Sequence, residues 1–412
     1  MNDEFVSAVI LGAGAAGFFA SIACKEGLAE GRVLLIEKTR APLAKLKVSG
    51  GGRCNVTHYC FDPKVLIQNY PRGGLELLGP FHRFQPKDTI DWFKVRGVEL
   101  KVEEDGRMFP VTDDSSTIVE ALKKAANDAG VEILLEKRLK KADRIDEGFL
   151  LEFIDGSFIK TKALLLATGS SKEGYQLAKE FGHTIDPLCP SLFSFNVPDF
   201  PLEKLAGVSV ELAGSSLKNG KHRFDAPLLI THGGFSGPSI LKLSSFEAMT
   251  LALKDYETDF FIDWLPGCEE RKIREELEDR KTNHGKKTVI LDSFFHLPKS
   301  LWKELILKAG ISYDTTWNHV SKSLLEKILF TLKMDVYRMK GKTPYKSEFV
   351  TCGGVKLSEV NFKKMESKLA KNLYFAGEIL NIDGVTGGFN FQAAWTTGWI
   401  AGKAIQDSQV LT

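Results

Sequence analysis

The segment FVSAVILGAGAAGFFASIACKEGL, residues 5–28, constrains the fold more than any other part of this 412-residue chain. The apolar run 6–11 reads as a buried strand, and glycines at 12, 14 and 17 then open a helix. Gly12 permits a tight turn, Gly14 lets backbone approach a pyrophosphate, and Gly17 lets the helix lie close on the strand. The helix N-terminus adds a dipole that favours phosphate charge. Ala15 and Ala16, between the last two glycines, belong to the same expected cofactor-binding turn. A second strand, RVLLIEK, ends in Glu37, about twenty residues past Gly17. That is the spacing of a carboxylate that binds a ribose hydroxyl. Lys38 follows it in the candidate site.

The glycine pattern alone does not separate FAD from NAD. Two later stretches favour FAD. ALLLATGSS (163–171) is a buried-type strand that ends on Ala167, Thr168 and Gly169. NLYFAGEILNIDGVTGGFNFQAAWTTGWIAGKAI (372–405) is another strand, then a glycine-rich turn opening a last helix. Additions at several strand ends suit a long, two-ended ligand. Gly387 and Gly388 precede the last helix, where N–H groups and dipole can stabilise charge on the pyrimidine side of a reduced flavin. Gly377, Phe389 and Asn390 belong to the same stretch, and Glu378 and Asp383 are candidates for the ribityl hydroxyls. Between these strands, residues 131–162 alternate apolar and polar, as a small antiparallel sheet does.

The stretch KVSGGGRCNVTH (47–58) is the second expected clamp on the cofactor. Gly50, Gly51 and Gly52 allow close backbone approach. Ser49, Arg53, Asn55 and Thr57 offer polar partners, and Lys45 lies just before. No G-K-[ST] ends the run, so it is not a Walker loop. Cys54 has only Cys60 nearby, with five residues between them, so we expect packing beside the cofactor rather than thiol redox chemistry.

Composition narrows the function classes. Lys+Arg 55 against Asp+Glu 53 gives net +2, which points to no nucleic-acid partner. Six cysteines stand scattered at 24, 54, 60, 189, 268 and 352. They form no CxxC pair and no metal-ligand spacing, so neither a metal site nor a disulfide framework is expected. No stretch after the first reaches the length of a membrane span. The expected setting is the cytoplasm. The middle of the chain changes texture: short runs with turn signals from about residue 190 suggest a barrel. After residue 266 the pattern turns helical, with CEERKIREELEDRK as a solvated helix and Ser323 with Glu326, like Thr117 with Glu120, at capping-box spacing. The expected division is 1–189 and 359–412 for the cofactor domain, with 190–265 barrel-like, 266–342 helical and 343–358 a return strand.

LGAGAAG, KVSGGGRCNVT, GRMFPVTDDSS, THGGFSGPSIL, TCGGV, MESKL and LYFAGEILNIDGVTGGFNFQAAWTTGWIAG together resemble the BaiN/YhiN-type flavoproteins, the aminoacetone oxidase family of FAD-binding enzymes. The resemblance covers nearly the whole chain. It implies an α/β fold: a Rossmann-like FAD domain formed by both chain ends, with an inserted β-barrel carrying a helical subdomain. It also places Arg107 and Phe109 on the substrate face of the flavin. Two departures stand out. The loop after Gly169 is short, and His58 replaces the family's usual Asn. His232 is a further acid/base candidate.

The expected function is hydride transfer between a small-molecule substrate and flavin N5. The leading expectation is a reductase fed by transiently bound NAD(P)H, since no second G-x-G-x-x-G is visible. The alternatives are an oxygen-using amine oxidase, a non-catalytic flavoprotein whose insert binds a macromolecule, and an NAD-only dehydrogenase. Substrate and oligomeric state are not legible.

Overall fold

The first strand forms because all but one of its six residues are buried: β1 (Val6–Leu11) runs through the centre of a sheet. A computed structural model describes residues 5–28, 30–341 and 350–410. It divides into two units, Met1–Pro190 with Tyr345–Thr412, and Ser191–Pro344. The expected return stretch 343–358 lies outside the described residues over 343–349.

In the first unit, β1 leads into helix α1 (Ala15–Lys25) and then β2 (Val33–Ile36). Three short strands, β3 (Thr57–His58), β4 (Leu100–Val102) and β5 (Arg107–Pro110), pair separately in the order β3-β5-β4. Next come β6 (Glu132–Leu134), β7 (Leu139–Ile145), β8 (Gly148–Phe153), β9 (Phe158–Leu166) and β10 (Ile185–Ser191). The second unit holds β11 (Phe195–Asn196), β12 (Ser209–Leu217), β13 (Arg223–Thr231), β14 (Gly234–Ser236), β15 (Glu257–Asp263) and β16 (Asp335–Lys340). The chain then adds β17 (Val350–Val355), β18 (Val360–Asn361), β19 (Glu366–Ser367) and β20 (Leu373–Phe375) to the first unit.

The main sheet runs β18-β19-β20-β9-β1-β2-β6, and its centre is parallel. β9 serves two roles. Its first half pairs antiparallel with β8, and its second half lies parallel to β1 with Leu166 beside Leu11. That switch follows the sequence, FIKTK then ALLL: alternating residues face a one-sided meander and the apolar run fills a two-sided sheet. β10 and β17 form a sheet of their own. In the second unit the order is β11-β14-β13-β12-β15-β16, and the end strands β11 and β16 meet, closing a small barrel. Helices Glu270–Asn283, Lys299–Lys308 and Lys322–Lys333 lie between β15 and β16 in the same unit. Two caps differ from the expected ones. Ser321, not Ser323, accepts from the Leu324 N–H (3.2 Å), and Asp114 accepts from the Ser116 N–H (2.8 Å). Each helix starts earlier than the capping box proposed, where a nearer oxygen reaches the orphan donors.

The two ends of the chain are joined by helix packing. The C-terminal helix (Phe389–Val410) lies on α1 at backbone-contact distance. A Cβ at Gly398 would stand 2.5 Å from the Ala16 carbonyl oxygen, and one at Gly402 would stand 2.3 Å from that of Ala20. The order of these contacts makes the two helices parallel. Gly402→Leu is therefore expected to cost about 3 kcal/mol, the upper range of overpacking. A lowered thermal midpoint of the purified variant checks this; an unchanged midpoint contradicts the packing described.

Candidate functional site

The cofactor turn is built by contacts that no side chain larger than hydrogen permits. Gly12 has φ +104°, and a Cβ at Gly17 would fall 1.9 Å from the Gly12 carbonyl oxygen. The strand ends thus stop short, and a cavity of about 500 Å³ opens beyond β1, β2 and β9. Gly12, Glu37, Lys38, Thr168 and Gly174 line it, with Lys137 and Arg138 on its rim. Gly14 leaves open space in front of its Cα, and Ala15 and Ala16 start α1 behind it. Glu37 reaches back across the turn: its carboxylate accepts from the Ala13 N–H (3.1 Å), and from the N–H and hydroxyl of Thr39 (each 2.9 Å). Lys38 pairs with Glu173 (3.0 Å). Thr39, Lys137 and Arg138 were not singled out from sequence, because only the folded sheet brings 137–138 beside residue 37.

Three observations test whether FAD fits these residues. The first is the cavity itself, placed beside Glu37. The second is the Thr168 hydroxyl, which is buried and has no hydrogen-bond partner in the protein. A buried hydroxyl without a partner costs about 1–3 kcal/mol, so its position calls for a ligand atom. The third is the offset of two helix starts. Since Gly398 stands beside Ala16, the C-terminal helix extends about eight residues beyond the start of α1, roughly 12 Å at 1.5 Å per residue. Two positive helix ends point the same way at two depths. This suits a ligand with a pyrophosphate in its middle and a ring at one end. The residues fit FAD.

The start of the C-terminal helix is held from several sides. Gly388 has φ +90°, and its Cβ would meet the Thr57 carbonyl oxygen at 2.5 Å. With its amide oriented by its neighbours, Asn55 accepts from the Gly388 N–H (3.0 Å) and donates to the Thr57 carbonyl (3.0 Å). The Gly388 N–H, expected to face the flavin, is therefore engaged by Asn55. What remains there is the helix dipole. His58 Nδ1 donates to the Gly387 carbonyl (3.0 Å), and the ring stacks on Phe389 at 4.5 Å. Tyr70 donates to the Phe389 carbonyl (2.7 Å), and Asn390 brackets Gly384 through both its N–H and its carbonyl. Thr57 and Thr89 both donate to buried Gln392. Gly377 donates to Thr397 (2.9 Å).

The two carboxylates expected on the ribityl chain are already paired. Asp383 has no exposed surface and holds Arg72 through both oxygens. Glu378 accepts from Lys45 (2.6 Å) and from the Thr351 N–H (3.1 Å), and Lys45 also approaches Ser170 (3.4 Å). Gly169 adjoins this group, 3.5 Å from Glu378 measured from its Cβ position. Ala167 continues β9 through its N–H to Leu11. Arg72 and Tyr70 gave no sequence signal, since their partners lie about 300 residues away.

The triple-glycine loop is left-handed throughout, with φ of +57°, +69° and +87° at Gly50, Gly51 and Gly52. Cα of Gly51 and Gly52 faces open space. Ser49 donates to the Leu46 carbonyl (2.8 Å). Arg53 pairs with Glu103 (2.7 Å) and covers the Phe109 ring at 4.0 Å. Phe109 is fully buried, and Arg107 pairs with Glu103 and Asp105. Phe109 thus forms the floor beneath Arg53. Cys54 is fully buried, and burial pushes its thiol up to about 12, with a hydrogen bond to Ser49 opposing. A thiol so protonated at neutral pH is no nucleophile. His232 lies exposed in the second unit, at the turn between β13 and β14.

The orphaned hydroxyl makes a test. Thr168→Val is expected to leave the apoprotein at least as stable while weakening FAD binding about tenfold, the value of one buried hydrogen bond. Thermal melts of the apo form and titration with FAD check the two halves separately. Unchanged affinity contradicts the role given to Thr168.

Comparison with known proteins agrees with this geometry. The family model described as HI0933-like protein Rossmann domain matches residues 6–404. The chain is 30% identical over 409 residues to a ribosomal RNA dihydrouridine synthase of Escherichia coli (strain K12), covering 96% of this chain and 97% of the relative. It is 26% identical over 407 residues to a 3-dehydro-bile acid delta(4,6)-reductase of Clostridium scindens, covering 96% and 98%. Among solved structures, it resembles in fold a 3-ketosteroid-delta4-(5alpha)-dehydrogenase from Rhodococcus jostii RHA1, with a TM-score of 0.53, 14% identity, and 98% and 97% of the two chains covered. Among the described residues no helix is long and apolar enough to cross a membrane. The chain is a flavin-dependent oxidoreductase. The non-catalytic and NAD-only alternatives fall with that. The chain belongs to the HI0933-like family of FAD-binding Rossmann flavoproteins.

Proposed function

We propose that this protein saturates a carbon–carbon double bond conjugated to a carbonyl, with NAD(P)H as the electron donor. The observation that carries the reading is the doubly held start of the C-terminal helix at Gly387–Gly388, which presents a positive dipole end. When bound, FAD supplies the two-electron hydride chemistry. The chain supplies its setting. The helix end favours negative charge placed against it by up to about 2 kcal/mol, easing acceptance of electrons. Asn55 and His58 fix the two glycines, so this field needs no reorganisation during turnover. Glu37 and Thr168 hold the nucleotide end. Arg107 is proposed to orient a substrate carbonyl.

The substrate class draws on the named activities of two relatives. Forming dihydrouridine from uridine, and reducing a 3-keto-Δ4,6 steroid, each add two hydrogens across a double bond conjugated to a carbonyl. Two substrates fit the proposed reaction: a uracil ring within RNA and a free enone. The first departs from the expectation of no nucleic-acid partner, which rested on net charge alone; reading one unstacked base does not require a strongly basic protein.

Anaerobic mixing of the FAD-loaded protein with NADH, NADPH and simple amines tests the donor. Flavin colour is expected to bleach with a nicotinamide nucleotide. Adding a uridine-containing ribosomal RNA fragment or a 3-keto-Δ4,6 steroid is then expected to restore it, and the one that does so identifies the substrate. Bleaching by an amine alone, with peroxide on readmitting air, overturns the reading in favour of an oxidase.

A further inference from the structure

One histidine of the first unit is enclosed by the edge of the main sheet. The His183 side chain has no exposed surface. Its Nδ1 faces the Glu359 carboxylate (3.2 Å) just before β18, and its Nε2 faces the Ser367 hydroxyl (2.8 Å) on β19. The ring also meets Phe375 on β20, edge to face, with centroids 4.7 Å apart. The backbone beside it is tied to the same place. The Thr184 N–H donates to Glu359 (2.9 Å), and the Thr184 carbonyl accepts from the Lys356 N–H (3.0 Å). One side chain thus joins the segment after the helix Lys172–Glu180 to the strands β18, β19 and β20 that end the sheet.

The lone pairs on Ser367 fix where the protons sit. Its oxygen accepts from the N–H groups of Leu369 (3.0 Å) and Ala370 (2.8 Å), in the turn between β19 and β20. A hydroxyl oxygen has two lone pairs, and both are taken, so only its proton is left to meet the histidine. Ser367 therefore donates to Nε2, which is bare, and the neutral ring carries its proton on Nδ1, facing Glu359. A second proton on the ring sets the Nε2 N–H against this O–H with no lone pair to receive it. A buried donor without an acceptor is costly. The ring is satisfied only if Ser367 gives up one of its two backbone N–H groups, which loosens the turn into β20.

Burial disfavours the charged ring, and the Glu359 charge opposes without overcoming it, so His183 titrates below its ordinary range. Other charges nearby are engaged elsewhere: Lys368 on the Ser358 carbonyl (2.8 Å), Glu366 on the Asn372 N–H (3.0 Å), Glu180 on Gln176 (3.1 Å) and Asp186 on Asn381 (2.7 Å). The opened chain then binds the proton more readily than the folded one. The contribution to stability is full above about pH 6.5 and is lost as pH falls from there towards the folded value.

We propose that His183, Glu359 and Ser367 form an acid-operated latch, which holds the β18–β19–β20 edge of the sheet while the imidazole is neutral and releases it when Nε2 gains a proton. The latch is independent of the substrate proposed above.

Amide hydrogen exchange of the FAD-loaded protein tests it between about pH 7.5 and about pH 5, on either side of the ordinary histidine range, after correction for the intrinsic effect of pH. Protection of residues 366–375 is expected to fall about tenfold in the wild-type protein as the pH is lowered. In His183→Gln, an amide can accept from Ser367 and donate to Glu359 without titrating, and the fall is expected to be lost. An equal fall in both proteins overturns the proposal, as does a wild-type fall that spares residues 366–375. Nitrogen-15 NMR of protein labelled at its eight histidines reads the proton positions directly. At neutral pH the His183 ring is expected to be protonated on Nδ1 and bare on Nε2. Glu359→Gln is expected to move the titration of that ring to lower pH, which also marks its signal. A proton on Nε2 at neutral pH, or a titration that Glu359→Gln leaves in place, overturns the latch even if His183→Gln folds poorly.

Discussion

The close parallel packing of α1 against the C-terminal helix is the contact on which the rest of the first unit depends. It brings backbone against backbone where Gly398 and Gly402 meet Ala16 and Ala20. Such contacts exclude even a methyl group, so the relative height of the helices is set by sterics rather than by adaptable side chains. That height fixes the offset between the two helix starts. On the proposed reading, the pyrophosphate end and the ring end of one FAD lie at opposite ends of the sequence.

Electrostatics follows from the same arrangement. Where the chain meets the expected ring it offers a dipole rather than a charged side chain. Asp383, the nearest acid in sequence, is fully buried and neutralised by Arg72. A buried pair of this kind is costly to break from one side, so the turn before the helix stays rigid. Around the triple-glycine loop the pattern differs. Arg53, Glu103, Arg107 and Asp113 form a partly exposed network, which contributes geometry more than stability.

Much of this was legible in sequence where the signal is local. Gly12, Gly14, Gly17 and Glu37 are recognisable because a tight turn and a ribose contact impose fixed spacing. The two-part character of β9 shows in the change from alternating to continuous apolar residues. What sequence did not show are partnerships made only by the fold. Arg72 with Asp383, His58 with Gly387, and Asn55 with the Gly388 N–H join residues with no positional rule linking them. Ser321 and Asp114 show the same limit at short range, since two or three oxygens compete for one helix start and packing chooses among them. Net charge is a weaker guide: a value near zero leaves the substrate class open.

The central claim is that two helix starts at different depths hold one FAD molecule together. Amide hydrogen exchange of the apoprotein and the FAD-loaded protein measures this directly. The account predicts new protection in both segments at once, at residues 12–17 and at residues 387–392, with the triple-glycine loop at 50–52 protected alongside. Protection confined to one of the two helix starts, at saturating FAD, would contradict it.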